Sequence, residues 1–172
     1  MGQDRKIAVE EYRDRLGARH RAEAVLDEAA AERAELVFNL SRLHSRLSQD
    51  FEAQHRGRGW TWAGFRIMNV LWAVGEVELR ELARLSGASR AAISSALNTL
   101  ERDGLVTRLR DVADRRLVRI ALTEQGGERL RDGMREQAER ERRWFAALDR
   151  DQLRGVSRAL ATLADQAKPP RN

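Results

Sequence analysis

The middle of the chain holds two short helix patterns joined by a glycine turn. The first pattern reads LRELARLS, and Gly87 separates it from SRAAISSALNTLERD. In the second pattern Ile93, Leu97 and Leu100 recur at the i, i+4, i+7 spacing of one buried helix face. Ser89 is placed to cap the first turn of that helix. Two compact helices joined in this way predict a helix–turn–helix.

Two strand patterns follow this helix pair directly, over 105–110 and 117–122. Val118, Ile120 and Leu122 alternate with the residues between them, which is the period of two of a strand covered on one face. The turn between the strands is charged and ends in paired arginines. A helix–turn–helix followed by such a hairpin is the winged-helix arrangement, in which the hairpin is the wing.

Long helix patterns flank this lobe, so the sequence predicts one mainly α domain with a small β-hairpin wing. Residues 1–28 read as a charged, alanine-rich helical extension, and residues 29–58 repeat leucine at helical spacing. The winged helix–turn–helix lobe covers 60–122, and the stretch EVEL at 76–79 predicts a short strand before the helix pair. Two further helices follow within 123–168, and 169–172 form a short tail.

Single residues mark several predicted helix ends. Gly17 predicts a break in the N-terminal extension. Thr61 and Thr123 are placed as N-caps, and Gly75 ends the apolar helix WAGFRIMNVLWAV. Because that helix is apolar on most faces, we expect it to be buried. The helix after Thr123 is expected to continue to about Leu148.

Positive charge is concentrated in the lobe. The formal net charge of the chain is +5, and the stretch 84–119 alone holds eight arginines against four acids, a net charge of +4. Lys6 and Lys168 are the only lysines. A localised basic surface of this kind is the electrostatic footprint of a protein that binds nucleic acid.

Several classes of protein are disfavoured by what the sequence lacks. The absence of cysteine removes disulfides, thiolate nucleophiles and thiolate metal sites. His20, His44 and His55 are too widely separated to share a metal ion, and we expect no cofactor. No nucleophile elbow or phosphate loop indicates an enzyme. Without a signal-peptide core or a run of roughly 18 apolar residues, we expect a cytoplasmic protein with no membrane contact.

The second helix of the pair has an outward face suited to the major groove of DNA. Its small side chains allow close approach, Arg90 can reach guanine or a phosphate, and Asn98 can pair with adenine. The alternative is an exposed helix of ordinary composition. The residues predicted to contact DNA on this helix are Ser89, Arg90, Ala91, Ser94, Ser95 and Asn98.

The hairpin carries the second set of predicted DNA contacts. Arg115 and Arg116 are placed to reach into a minor groove, whose negative potential is strongest where the groove is narrow. Asp114 can hold a neighbouring guanidinium in one rotamer, and Arg108 on the first strand adds another basic side chain. The alternative is a solvated turn whose charges neutralise one another.

Together these segments resemble the MarR family of bacterial transcriptional regulators over roughly residues 29–163. By this resemblance Arg116 enters the minor groove, Asp114 orients it, and residues 89–98 form the reading surface. Ser95 and Ala113 stand where many members carry a basic residue, so no base preference is implied. The family pattern D-x-R…L-T-x-x-G is matched by Asp114, Arg116, Leu122, Thr123 and Gly126, preceded by Leu100-Glu101 and Gly104-Leu105-Val106.

The resemblance also implies a homodimer and a small effector. The N- and C-terminal helices, 29–58 and 123–168, would form the dimer interface. MarR-like proteins commonly bind a small aromatic acid or phenol between these helices and the DNA-binding lobe. Aromatic residues on helices are more often core residues than pocket residues. With that alternative, the residues predicted to line a ligand pocket are Phe38, Arg42, Trp60, Trp62, Phe65 and Arg66.

The sequence therefore favours a homodimeric repressor that binds a palindromic operator in double-stranded DNA and is released by a small aromatic or phenolic ligand. Two alternatives stay open. One is a winged-helix module that binds protein, against which the charged wing argues. The other is a protein that binds DNA without regard to sequence, for which substitutions at Arg90 and Asn98 would not matter.

Overall fold

A computed structural model describes residues 7–23, 26–110 and 118–166 of the chain. Seven helices and three strands are described within these ranges. The chain divides into two compact units, 1–54 and 55–172, and each is described by itself. The elements are α1 (Val9–Ala22), α2 (Glu28–Arg56), α3 (Trp62–Val74), β1 (Val77–Glu78), α4 (Leu79–Ser86), α5 (Arg90–Arg102), β2 (Val106–Arg110), β3 (Val118–Leu122), α6 (Glu124–Trp144) and α7 (Arg150–Asp165).

The first unit consists of α1 and most of α2. The Tyr12 and Phe38 rings lie 5.8 Å apart between centroids, and Arg13 approaches Glu35 at 4.0 Å. These contacts join α1 to α2 along one side. The predicted break near Gly17 is wrong, because α1 continues through it as one helix. A single glycine inside a helix lowers its stability by about 1 kcal/mol without ending it.

The core of the second unit forms around α3. Ile67 and Met68 of this helix are fully buried, and Ile93, Leu97 and Leu100 of α5 are buried in the same cluster. The prediction of an inward face on α5 is therefore confirmed. The prediction of general burial for α3 holds only for its first ten residues. Near its end the side chains of Trp72 and Val74 are each 54% exposed.

The helix caps agree with the local sequence chemistry. The Thr61 hydroxyl accepts a bond from the Gly64 N–H at 3.0 Å, and the Ser89 hydroxyl accepts one from Ala92 at 3.2 Å. Both residues occupy extended backbone, as N-caps do. Gly87 ends α4 at φ +60°, a left-handed conformation that glycine adopts without strain. These caps fix the lengths of the helices that surround the turn.

The short extended segment expected over 76–79 is confirmed as β1, and it belongs to the same sheet as the wing. β2 and β3 form the antiparallel hairpin, with Arg108 opposite Ile120. β1 pairs with the other edge of β3, with Val77 opposite Ile120 on that side, so the sheet order is β1-β3-β2. The third strand attaches the wing to the residues just before α4. The hairpin is thus held at its base by the lobe itself.

The start of α6 is fixed on the start of β2 by one threonine and one glycine. The Thr123 hydroxyl donates to the carbonyl oxygens of Gly104 at 2.8 Å and Leu105 at 3.1 Å, and accepts from the Gly126 N–H at 3.0 Å. A Cβ at Gly126 would overlap the carbonyl oxygen of Leu105. The L-T-x-x-G pattern therefore has a packing reason: the helix approaches the strand too closely for any side chain.

The two C-terminal helices are separate elements. α6 ends at Trp144, with Phe145 as its C-cap, which is earlier than the predicted end near Leu148. Asp149 and Gln152 then form a capping box that begins α7. Within the described part of the chain, no helix is both long enough and apolar enough to cross a membrane.

Candidate nucleic-acid interface

The outward face of α5 is polar and exposed. Ser94, Ser95 and Asn98 lie on the side of the helix opposite its buried residues, and Arg90 and Ala91 extend this face to the helix start. Among the described residues, the side chains of Arg90 and Asn98 form no hydrogen bond or ion pair. They are therefore available to an external partner. The N-cap Ser89 is also exposed at the same end.

A groove runs beside this face, between α4 and α5. Its volume is about 440 Å³. Arg90 and Ser94 form one wall from α5, and the partly exposed Leu79 contributes from the start of α4. The two predicted DNA contacts therefore border a recess rather than a flat surface. The full lining is Leu79, Arg80, Ala83, Arg90, Ile93 and Ser94.

Two ion pairs connect the wing strands to neighbouring elements. Arg108 on β2 pairs with Glu101 at the end of α5 at 3.0 Å, and Arg119 on β3 pairs with Glu76 just before β1 at 2.8 Å. All four side chains are partly exposed, so each pair stabilises the fold by at most about 1 kcal/mol. The first pair joins the wing to α5, and the second joins β3 to the residue before β1. Arg108, predicted to contact DNA, thus already has a protein partner.

The wing tip itself lies outside the described residues. Asp114, Arg115 and Arg116 all fall in 111–117, between the paired strand ends Arg110 and Val118. The predicted roles of these three residues stay predictions.

The turn between α4 and α5 is hydrogen-bonded to a side chain of α3. The guanidinium of Arg66 donates to the main-chain carbonyl of Ser86, the last residue of α4. Burial of this group lowers the pKa of Arg66 from its ordinary value. Ser86 is buried, so water cannot readily donate a hydrogen bond to its main-chain carbonyl. The Arg66 guanidinium supplies that hydrogen bond. Arg66, predicted to line a ligand pocket, contacts the helix–turn–helix here, and its role toward a ligand stays a prediction.

The other predicted ligand residues are divided among different surroundings. Trp60 is 2% exposed and Phe65 is 4% exposed, and both belong to the hydrophobic core. Trp62 is half-buried and stacks on Phe65, with 5.5 Å between ring centroids. Phe38 and Arg42 lie on α2 in the first unit. Core packing accounts for Trp60 and Phe65, and the pocket as a whole stays a prediction.

A buried histidine joins two helices through a chain of hydrogen bonds. The Trp60 indole Nε1–H donates to Nδ1 of His55 at 3.1 Å, and Nε2 of His55 lies 3.1 Å from Oε1 of Gln137. Indole nitrogen only donates, so in the neutral ring Nε2 carries the proton and donates to Gln137. The Gln137 amide then donates to Glu141 at 2.9 Å. The whole chain has one consistent direction.

The sequence reasoning missed the structural use of His55, because it weighed the histidines only as metal ligands. His55 is fully buried, and Phe65 stacks on it with 4.2 Å between ring centroids. A tryptophan five residues after a histidine was a usable signal, since a buried indole N–H requires an acceptor. Its second partner, Gln137, is 82 residues away and gave no local signal.

The arginines near this cluster are also paired. Arg58 forms an ion pair with Glu136, and this hydrogen-bonded partner lowers the pKa of the Glu136 carboxyl below its ordinary value. Arg129 lies with its guanidinium carbon 5.0 Å from the Trp60 ring centroid and donates to the Arg58 carbonyl at 2.8 Å. These contacts join the loop before α3 to α6.

Comparison with known proteins gives consistent matches. A model of the MarR family matches residues 60–118, which is the winged helix–turn–helix lobe. The uncharacterised HTH-type transcriptional regulator YwaE of Bacillus subtilis is 30% identical over 131 residues, covering 76% of this chain and 77% of YwaE. The HTH-type transcriptional repressor YetL of the same organism is 33% identical over 98 residues, covering 56% of this chain and 59% of YetL.

Among solved structures, the chain is similar to BpsR of Bordetella bronchiseptica, whose DNA binding is regulated by 6-hydroxynicotinic acid. The two chains superpose with a TM-score of 0.67 at 23% sequence identity, covering 76% of this chain and 99% of BpsR. At this identity the likeness establishes the fold. The three described strands and the helices around them thus follow a known regulator architecture.

Proposed function

Because the chain belongs to the MarR family of transcriptional regulators, whose members bind DNA and act as dimers rather than as enzymes, we propose that it is a homodimeric repressor of a palindromic operator. The observation that carries this proposal is the outward face of α5. Arg90 and Asn98 are exposed there without a partner among the described residues, beside small side chains that permit close approach. A major groove offers both phosphates and base edges to such a face.

The wing supplies the second contact in this proposal. Arg115 and Arg116 reach the minor groove beside the site read by α5, and Asp114 orients Arg116. Arg108 lies at the base of the wing, where its ion pair with Glu101 sets the distance from wing to reading helix. Contacts in both grooves give affinity through phosphate charge and specificity through base edges.

The homodimer is supported by apolar surface that one chain leaves uncovered. Leu153, Val156, Leu160 and Leu163 on α7 are between 40% and 48% exposed. Leu36, Val37 and Leu43 on α2 are also exposed. A second copy would cover such surface, and a two-fold dimer would present two reading helices roughly 34 Å apart. A palindromic operator matches that symmetry.

Repression and release by a ligand are supported by the relatives. YetL is a repressor, and the ligand of BpsR is an aromatic carboxylic acid. An arginine pairs with such a carboxylate in two parallel hydrogen bonds. Arg42 is the better candidate for this role than Arg66, whose guanidinium is directed at Ser86. Phe38, four residues before Arg42 on α2, would supply an aromatic contact, and the class of ligand is a small aromatic acid or phenol.

A salt series of binding tests the proposal. Purified protein is titrated with duplex DNA from upstream of its own gene and with a scrambled duplex of the same length. We expect two chains per duplex and a preference on the order of 10³ for the upstream DNA. Equal, steeply salt-dependent binding to both duplexes would indicate sequence-nonspecific binding. Absence of binding at low salt would favour a module that binds protein.

A further inference from the structure

One arginine of α3 connects the buried part of the lobe to the turn of the helix–turn–helix. Arg66 donates to the carbonyl of Ser86 at the end of α4. The next residue, Gly87, has φ +60°, and a Cβ there would lie 2.6 Å from Nη2 of Arg66. The end of the guanidinium therefore lies where a Cβ at 87 would be, and it would have to move to admit one. Gly87 therefore allows the left-handed turn and also leaves room for the Arg66 guanidinium.

The other side of the Arg66 guanidinium faces an aromatic stack. Its central carbon lies 6.0 Å from the Trp62 ring centroid, at the outer limit of a cation–π contact. Trp62 stacks in turn on His55, with 5.4 Å between ring centroids and 17° between ring planes. His55 is fixed by its hydrogen bonds to Trp60 and Gln137. Arg66 thus lies next to a stack that ends on the buried His55.

The turn that Arg66 holds leads directly into the reading helix. The Ser86 hydroxyl accepts a bond from the Ala88 N–H at 3.4 Å, and Ser89 caps α5. Two residues separate Ser86 from that N-cap. A change in the position of the Ser86 carbonyl therefore changes the direction in which α5 leaves the turn.

We propose that Arg66 is a positioning residue for DNA reading, which holds the α4–α5 turn through Ser86 and Gly87 and so sets the orientation of α5. The inference rests on the proposed DNA-binding function. It assigns Arg66 no contact with DNA and none with an effector. Its effect on DNA passes through the main chain of the turn.

This role has a signature that distinguishes it from two others. A phosphate contact, when lost, weakens binding to every duplex and lowers the salt slope by about one unit. A ligand contact, when lost, leaves DNA binding intact. A positioning residue, when lost, lowers the preference for the specific duplex and leaves the salt slope unchanged, because no phosphate is released from contact.

The first test compares Arg66→Met, Arg66→Lys and the control Arg131→Met in the full-length protein. Arg131 is an exposed arginine on α6, so its substitution removes the same charge elsewhere in the second unit. For Arg66→Met we expect the preference for upstream over scrambled DNA to fall about tenfold, the effect of losing one charge-assisted hydrogen bond. Arg66→Lys, which can still donate to a carbonyl, recovers part of the loss. Arg131→Met leaves the preference unchanged.

A second test measures the effect of Gly87→Ala in the natural chain and in Arg66→Met. Because it compares the same substitution in two backgrounds, a loss of stability common to both cancels. The Cβ at 87 meets the guanidinium only when Arg66 is present, whereas the strain of a left-handed alanine is the same in both backgrounds. The preference lost through Gly87→Ala is therefore expected to be smaller in Arg66→Met than in the natural chain. Thermal unfolding of all four proteins is measured beside the DNA titrations.

The outcomes separate the inference from the function on which it rests. If the natural chain shows no preference for upstream DNA, the proposed function fails and this inference fails with it. If the natural chain shows the preference and Arg66→Met keeps it, only the inference is overturned. A salt slope lowered by about one unit in Arg66→Met, or additive effects of the two substitutions, would also overturn it.

Discussion

Two helices of the second unit, α5 and α7, leave opposite kinds of surface uncovered. α5 buries Ile93, Ala96, Leu97 and Leu100, and its exposed face is polar. α7 is of similar length but buries none of its residues, and its leucines are among the most exposed in the chain. Both helices begin at a residue whose side chain caps the first turn. The difference lies in which side chains each one presents to solvent.

This difference indicates two kinds of partner. A polar helix face is stable when it is exposed to water. Such a face is compatible with a partner that binds reversibly, as DNA does. An apolar stripe loses about 25 cal/mol for each square ångström left in water, which favours permanent cover by another apolar surface. We therefore expect the α7 stripe to face a second copy of the chain, and α5 to face DNA.

The largest effect is expected from a charge placed on the α7 stripe. Leu160→Glu would bury a carboxylate at the proposed dimer interface twice in each dimer. We expect the dimer dissociation constant to rise by about a hundredfold or more, because an unpaired charge is costly to desolvate. Operator binding should fall with it, since one chain contacts only one half-site. Analytical ultracentrifugation across a concentration series measures the dissociation constant.

The matched control for this change lies on the same helix. Thr162→Glu introduces the same charge at an exposed polar position, away from the stripe. It should leave the dimer intact. If Leu160→Glu and Thr162→Glu have the same dimer dissociation constant, the α7 stripe is not the dimer interface. The exposed apolar face of α7 would then not indicate a second copy of the chain.

One glycine on α6 and one on α7 extend the comparison from surface composition to packing. Gly126 leaves no room for a Cβ beside the Leu105 carbonyl, whereas a Cβ at Gly155 on α7 would meet nothing within 4 Å. We expect Gly126→Ala to lower the free energy of unfolding by about 3 kcal/mol through overpacking against main chain. Gly155→Ala should raise it by about 0.5–1 kcal/mol through helix propensity. Denaturant unfolding of both variants at one protein concentration tests this, and equal effects would contradict the close packing of α6 on β2.

The contrast between α5 and α7 was largely visible in the sequence, because it follows from periodicity and local chemistry. The inward face of α5 and the caps Thr61, Ser89 and Thr123 were all predicted. Each depends on residues within a few positions of one another, where spacing alone determines which side chains share a face or reach a backbone N–H.

The features that sequence reasoning missed depend on contacts between distant residues. The sequence predicts a short strand at β1, but two residues carry no signal for its pairing with β3. The contacts of Arg66 with Ser86 and Gly87 form only because the turn after α4 packs against α3 in the folded chain. From the sequence, Arg66 could pair with a ligand carboxylate or be solvated, and its bond to the Ser86 carbonyl is visible only in the folded chain.

A moderate effect is expected from Asn98 on the exposed face of α5. Asn98→Ala removes an exposed side chain that forms no hydrogen bond with the described residues, so stability should be nearly unchanged. We expect the ranking of operator variants to change by about 1–3 kcal/mol for each base that Asn98 contacts. Binding of the variant protein to a set of single-base operator substitutions measures this. An unchanged ranking with weaker binding overall would place Asn98 among the phosphate contacts.

The smallest effect is expected at the wing tip, where the proposed contact is electrostatic. Arg116→Ala should weaken binding to upstream and scrambled DNA alike and lower the slope of log K against log salt by about one unit, because one phosphate interaction is lost. Circular dichroism should show an unchanged fold, and Arg131→Ala on α6 serves as the control for loss of one positive charge. An Arg116→Ala slope equal to that of Arg131→Ala would mean that the wing arginine makes no phosphate contact. The polar half of the comparison would then depend on α5 alone, with the wing left as a support for the reading helix through its ion pair between Arg108 and Glu101.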